Sequence, residues 1–218
     1  MNIAPLVRVA NVLDMFHGDD NEEMPDFARL KAQGFYAVIH KATQGSHYRD
    51  PLFAARIKAA DAAGLLVGAY HFGDGSPVDT QVSNFLETTQ AVPRDFVCLD
   101  FENNPKSQMS GIQAAGFLAR LDGRGFNPVI YGSDLIRETP VNLFGPGSYL
   151  WLAEYGPHEN IPPPWDKNTT LLWQFSETGA AAGIRGYVDL NYFDGTRDEL
   201  AAKWGKPCYP IQTNFKVT

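Results

Sequence analysis

A single distorted β/α barrel, eight strands with about five helices, is the fold the sequence predicts, on three observations. Short apolar runs alternate with helical patterns through the first 135 residues, the signature of strand-helix units on a parallel sheet. The apolar runs number eight, while the helical pattern fades after about residue 135, which distorts the regular TIM-barrel alternation. Each run ends in polar or aromatic residues, as barrel strands do on the face that carries active sites. An open doubly wound sheet is the alternative, and no Gly-rich dinucleotide fingerprint follows a strand.

Asn11 to Phe16 reads as the first strand, Pro25 to Gln33 as a helix ended by Gly34, and Phe35 to Ala42 as the second strand. Asp50-Pro51 supplies an N-cap and a first-turn proline; Phe53, Ile57 and Ala60 then share a helical face before Gly64. Leu65 to Tyr70 is the third strand. Ser76-Pro77-Val78-Asp79 reads as a second capped start, with Val82, Phe85, Leu86 and Thr89 at helical spacing. Phe96 to Phe101 is the fourth strand. Ser110 and Gln113 form a capping box, and Ala114, Phe117, Leu118 and Leu121 give that helix its inward face. Pro128 to Tyr131, Tyr149 to Ala153, Leu171 to Phe175 and Tyr187 to Leu190 complete the strands, the last three joined by Pro/Gly-rich loops. Residues 1–205 are assigned to the barrel and 206–218 to a C-terminal tail too short for a binding module.

Composition narrows the function. The 218 residues are 44% hydrophobic and 20% charged, and 18 Lys+Arg against 25 Asp+Glu leave a net charge of −7 with no basic stretch, which disfavours nucleic acid. The longest weakly polar stretch, Ala62 to Gly73, falls short of a membrane span. The start Met1-Asn2-Ile3-Ala4-Pro5 lacks a basic region and Arg8 interrupts the apolar stretch, so no secretory signal is expected. Cys98 and Cys208 are expected as free thiols, and the chain as a monomer.

The predicted strand ends carry Asp14, His40 and Lys41, Tyr70 and His71, Asp100 and Glu102, Tyr131, Glu154 and Tyr155, Gln174 and Asp189. In Val97-Cys98-Leu99-Asp100-Phe101-Glu102, alternation sends Cys98, Asp100 and Glu102 into the barrel and Val97, Leu99 and Phe101 outward. Two carboxyls then share one face, two rises or about 7 Å apart along the strand. Such a pair raises the pKa of at least one member, and an acid kept protonated near neutral pH is what glycosidic cleavage requires. Asp14 and Asp189, on the first and last strands, become neighbours when a barrel closes, so four acids would ring one mouth.

His17, His40, His47, His71 and His158 share no zinc spacing, and His17 and His158 are expected to be peripheral. A metal-dependent carbohydrate deacetylase using Asp14, His40 and His71 is the competing enzyme reading, and a glycan-binding barrel without turnover the non-enzymatic one. Tyr70, Tyr131, Trp151, Tyr155, Trp173 and Tyr187 are first of all packing residues, some of which at strand ends could stack on sugar faces.

The chain resembles the Chalaropsis-type lysozymes, glycoside hydrolase family 25, over roughly Asn11 to Gly195. The likeness lies in Val12-Leu13-Asp14, in His40-Lys41-Ala42-Thr43-Gln44-Gly45 with Tyr48 and Asp50-Pro51, and in Gly68-Ala69-Tyr70-His71-Phe72. It continues in Leu99-Asp100-Phe101-Glu102, Pro128-Val129-Ile130-Tyr131, Leu150-Trp151-Leu152-Ala153, Trp173-Gln174-Phe175-Ser176 and Val188-Asp189-Leu190-Asn191. The resemblance implies an N-acetylmuramidase acting on bacterial peptidoglycan without a cofactor or metal. It implies Glu102 as general acid, Asp100 as its partner, Asp14 and Asp189 as further pocket carboxylates, and Tyr70, Lys41 and Tyr131 as positions that line the sugar subsites. Asp14 and Asp189 are assigned with the catalytic pair, and the strand-end residues Trp151 and Gln174 with the substrate contacts. One departure is the first loop, where Phe16-His17-Gly18 replaces the usual Ser with Gln or Asn. With no signal, a phage endolysin released through a pore made by another protein is the expected setting.

Overall fold

The computed structural model describes residues 9–18, 23–92, 96–144 and 147–205. Its strands are β1 (Val12–Met15), β2 (Ala37–Gln44), β3 (Tyr48–Arg49), β4 (Leu66–Phe72), β5 (Phe96–Asp100), β6 (Val129–Gly132), β7 (Tyr149–Ala153), β8 (Thr170–Gly179) and β9 (Val188–Tyr192). Its helices are α1 (Phe27–Ala32), α2 (Phe53–Ala62), α3 (Val78–Thr89), α4 (Gly111–Asp122), α5 (Asp134–Glu138) and α6 (Arg197–Lys203), with a 3₁₀ turn at Val141–Leu143. The sheet runs β1-β9-β8-β7-β6-β5-β4-β2-β3 and closes where β1 also pairs with β2. Eight strands thus make the barrel, and β3 is a two-residue antiparallel addition to the end of β2.

The barrel differs from a fully parallel one at β9, which runs antiparallel to both β8 and β1. A strand that pairs antiparallel with its predecessor needs no crossover, whereas parallel neighbours need a long one, usually a helix. No helix joins β8 to β9, and the parallel β7–β8 pair is joined by a helix-free crossover over residues 154–169. The late helix α6 was not anticipated, although Thr196 and Glu199 form a capping box at its start.

Strand alternation separates two apolar layers. Val38, Ala69, Val97, Leu99, Phe101 and Ile130 face outward and pack under Leu30, Phe53, Ile57, Phe85, Phe117 and Leu121 of the helices. Val12, Ile39, Phe96, Cys98, Val129, Tyr131, Trp151 and Leu171 fill the barrel interior. Each fully buried aromatic or aliphatic side chain contributes roughly 1.5–3 kcal/mol of transfer free energy. Trp204, just past α6, closes the floor: its ring stacks on Phe96 at 4.3 Å and its Nε1 donates to Val67 O at 2.8 Å.

Local signals hold in part. The Ser110–Gln113 capping box forms, and Ala114, Phe117, Leu118 and Leu121 are the buried residues of α4. Gly34 and Gly64 follow α1 and α2 at φ of 103° and 79°, the left-handed region that favours glycine. Asp50 does not cap α2, which begins after Leu52 without a side-chain cap. Its carboxylate instead accepts the backbone N–H groups of Leu52 at 3.0 Å and His17 at 2.9 Å, tying down the first loop. Ser76 does not cap α3 either; its hydroxyl bonds to Ser46 and Asp74. Cys98 is a free, buried thiol, while Cys208 and the 206–218 tail lie outside the described residues.

Candidate active site

The site is assembled by strand register. Asp14 lies opposite Asp189 on the β1–β9 ladder, Asp100 opposite Phe72 and Tyr131, Tyr131 opposite Trp151, and Lys41 opposite Tyr70. Asp189 reaches this end of the barrel because β9 is reversed: it stands near the start of its strand, not at the end expected of a parallel one. Asp14, Tyr70, Asp100, Glu102, Tyr131, Trp151 and Asp189 line one cavity. Trp151 meets Tyr131 edge-on at 4.6 Å and Tyr70 at 6.4 Å, so its floor and walls are aromatic.

Asp100 and Glu102 do not stay one strand repeat apart at their tips. Their side chains lie within interaction range of each other at the cavity. Burial pushes Asp100 well above the usual carboxylate range, and the Glu102 charge pushes the same way, while Lys41 opposes both. Burial also raises Glu102, followed by the charge of Asp14, whereas the bond from Asp100 lowers it. The pair titrates as a unit. Asp100 Oδ1 is buried without a hydrogen-bond partner.

Lys41 and Gln174 stand outside the cavity lining. The Lys41 ammonium donates to Gln44 Oε1 at 2.8 Å and lies 4.7 Å from the Phe72 ring centre; burial lowers its pKa, and Asp100, Asp50 and Glu102 counter that. Gln174, expected to touch substrate, is 1% exposed and has its amide engaged by protein. It donates to Asp14 Oδ1 at 3.0 Å and accepts from the hydroxyls of Tyr131 at 2.7 Å and Tyr155 at 3.0 Å.

The grouping of Asp14, His40 and His71 does not form. Asp14 points into the barrel, whereas His40 packs on Phe53 and His71 stacks on Phe117 at 4.8 Å, both on the helix side of the sheet. His71 uses both ring nitrogens, with Thr43 Oγ1 at 2.7 Å and Gln81 Oε1 at 3.0 Å. Burial lowers each imidazole to a pKa of about 4, so both are neutral packing groups at neutral pH. No set of three His, Cys, Asp or Glu able to hold a metal occurs among the described residues. His17 pairs with Asp50 at 3.2 Å on the first loop and His158 is exposed; neither lines the cavity.

Two site residues, Asn191 and Glu177, escaped the sequence reading as site residues, and a third, Tyr155, was read as a strand-end ring. Asn191, fully buried on β9, donates to Asp14 Oδ1 at 2.8 Å. Alternation from Asp189 would have found it. Tyr155, quoted only as a strand-end ring, joins the network through Gln174. Glu177 raises the pKa of Glu102 and bonds to Tyr155, from the extension of β8 beyond Phe175 that its polar sequence did not signal.

Comparison with known proteins bears on this geometry. The sequence profile of glycosyl hydrolases family 25 matches residues 13–184. Among curated relatives, the "uncharacterized protein YegX" of Escherichia coli O157:H7 is 32% identical over 198 residues, covering 87% of this chain and 71% of that one. Lysozyme M1 of Streptomyces globisporus is 30% identical over 195 residues, covering 81% of this chain and 66% of the relative. The crystal structure of a bacterial lysozyme from Streptomyces coelicolor superposes with a TM-score of 0.73 at 27% identity, over 88% of this chain and 95% of that one. A closed barrel with one reversed strand, an acid pair at its mouth and a profile match across most of its length place the chain in glycosyl hydrolase family 25.

Proposed function

We propose that the protein is a peptidoglycan muramidase that cleaves the β-1,4 bond between N-acetylmuramic acid and N-acetylglucosamine, with Glu102 as general acid. The observation that carries this reading is the Asp100–Glu102 pair, two carboxyls lining one aromatic-walled cavity, each raised by burial. The leaving sugar oxygen takes the proton from Glu102, and the acetamide oxygen of the bound sugar attacks the anomeric carbon as the bond breaks. Asp100, which lines the cavity beside Glu102, accepts the acetamide N–H and stabilises the positive charge that develops there. Water then opens the ring formed by the acetamide and returns a proton to Glu102. Tyr70, backed by the buried rings of Tyr131 and Trp151, offers a surface for the sugar ring. Asp14 and Asp189 add negative potential that favours an oxocarbenium-like centre. Family membership and the lysozyme name of the Streptomyces relative support the substrate class, which sets the place of action at the bacterial cell wall.

The deacetylase alternative lacks its ligand set, because the two histidines face away from Asp14. The deciding experiment incubates the protein with purified cell walls, follows turbidity and identifies the products by mass spectrometry. Soluble muropeptides with N-acetylmuramic acid at the reducing end are expected. Reducing-end N-acetylglucosamine, or acetate release without chain cleavage, would overturn the assignment.

A further inference from the structure

A buried chain of donors reaches Asp14 from behind the cavity. The indole N–H of Trp151 can only donate, and it donates to Asn191 Oδ1 at 2.6 Å. This contact settles which end of the amide faces which way, so Asn191 Nδ2 meets Asp14 Oδ1 at 2.8 Å. The same oxygen receives Gln174 Nε2 at 3.0 Å, and Gln174 Oε1 accepts the hydroxyls of Tyr131 and Tyr155. Donors arriving from two sides converge on one carboxylate oxygen, an arrangement that favours its ionised form.

We infer that Asn191, oriented by Trp151, is a positioning residue that holds Asp14 as an anion in a fixed place and, through that charge, helps keep the proton on the Asp100–Glu102 pair. The inference deepens the muramidase reading and rests on it. The groups facing Asp14 are consistent with the role. Asp189 opposes it on β9; Cys98 and Asp100 face it from β5 and Glu102 from just beyond that strand, Tyr131 from β6 and Gln174 from β8, with Tyr155 bonded to the latter. The Asp14 charge acts on Cys98, Asp100, Glu102 and Tyr131 in the same direction, each being pushed toward its protonated form. Lys41 on β2 is the cation that opposes it at the pair, and Glu177 adds to it at Glu102. Trp151 also lines the cavity, so the chain of donors begins at a ring that substrate would touch.

The test compares wild type with Asn191→Leu, Asn191→Asp and Trp151→Phe, reading the carbon NMR titration of the Asp14 carboxyl and the pH profiles of kcat and KM on soluble glycan fragments. In Asn191→Leu the Asp14 midpoint is expected to rise by about one pH unit as a donor is lost. The acid limb of kcat should move with it, and kcat should fall at least about tenfold with KM little changed. Trp151→Phe frees the amide to turn, so it should move the Asp14 midpoint the same way by less. Asn191→Asp should be most impaired at neutral pH, where two anions adjoin, and recover toward acid pH, where the introduced carboxyl is protonated and can donate. A folded Asn191→Leu or Trp151→Phe protein with the wild-type Asp14 titration would overturn the inference. If Asn191→Leu does not fold, Trp151→Phe decides by the same titration. That titration needs no turnover, so a wild-type protein without lytic activity would sink the muramidase reading and still leave the Asn191 relay open to judgement.

Discussion

Lowering the pH from 6.5 to 4 should remove stability through His71, by an amount the structure sets. The imidazole is fully buried, stacked on Phe117 and bonded to Thr43 and Gln81, and burial brings its pKa from 6.5 to about 4. Because the folded-state value lies below the unfolded one, the unfolded chain takes up the proton first as pH falls. Stability is therefore full above pH 6.5 and drains away between 6.5 and about 4. The slope is about 1.4 kcal/mol per pH unit within that window and the whole loss about 3 kcal/mol. For a chain of this size that corresponds to a fall in Tm of roughly 6–12 °C. Asp100 and Glu102 work in the opposite sense: their raised values make the folded state the better proton binder, so their contribution is present at low pH and lost as pH rises from about 4. Wild type alone would mix the two. The measurement is thus a difference, urea unfolding of wild type and His71→Phe at half-unit steps from pH 4 to 7. The variant keeps the stack, loses both hydrogen bonds and starts less stable, but its curve should be flatter by about 1.4 kcal/mol per pH unit within that window. Parallel curves would mean that His71 titrates normally in the fold and would refute the burial argument.

Other outcomes follow from the same geometry. Glu102→Gln should fold as wild type and lose at least about 100-fold in lytic rate, the lower range for a general acid; near-normal lysis would move the acid elsewhere. Asp100→Asn should lose activity yet unfold at a higher temperature than wild type at pH 8, because it removes a buried carboxyl whose ionised form is disfavoured, and the gain should vanish near pH 4. Thr196→Ala should cost about 1 kcal/mol by removing the cap of α6, read by thermal unfolding. Proton NMR of fresh product should show the β anomer first, as acetamide attack retains configuration; initial α anomer would make Asp14, Asp100 or Asp189 a general base instead.

Most of the fold was legible because alternation and helical period are strong over the first 135 residues. What alternation cannot tell is strand direction: Val188-Asp189-Leu190 reads the same either way, so Asp189 was placed at the mouth on the assumption of a parallel strand and arrives there through an antiparallel one. The acid pair was legible in Asp100-Phe101-Glu102, but the meeting of its tips depends on side-chain torsions that no spacing reports. Asp50-Pro51 and Ser76-Pro77 carry the chemistry of helix caps, and tertiary partners outcompete it: His17 takes one oxygen of Asp50, and Asp74 with Ser46 takes the Ser76 hydroxyl. Gln174, a strand-end residue assigned to substrate, is 1% exposed and bonded to Asp14, Tyr131 and Tyr155.

The rings inside the barrel form a continuous column. Trp204 at the floor stacks on Phe96, Phe96 lies 6.4 Å from Trp151, and Trp151 touches Tyr131 beneath the mouth. Two of the chain's four tryptophans thus belong to one column of rings, Trp204 at its floor and Trp151 next below Tyr131. Ultraviolet light absorbed by Tyr131 passes to Trp151 over a few ångströms, and the emission of that indole depends on the hydrogen bond it gives to Asn191. The interior therefore carries its own optical reporter: a sugar ring settling against Trp151 alters the colour and yield of its emission, while loosening of α6 alters that of Trp204. Stopped-flow fluorescence on the unlabelled protein, with Trp151→Phe and Trp204→Phe as references, can time substrate arrival apart from motion at the floor.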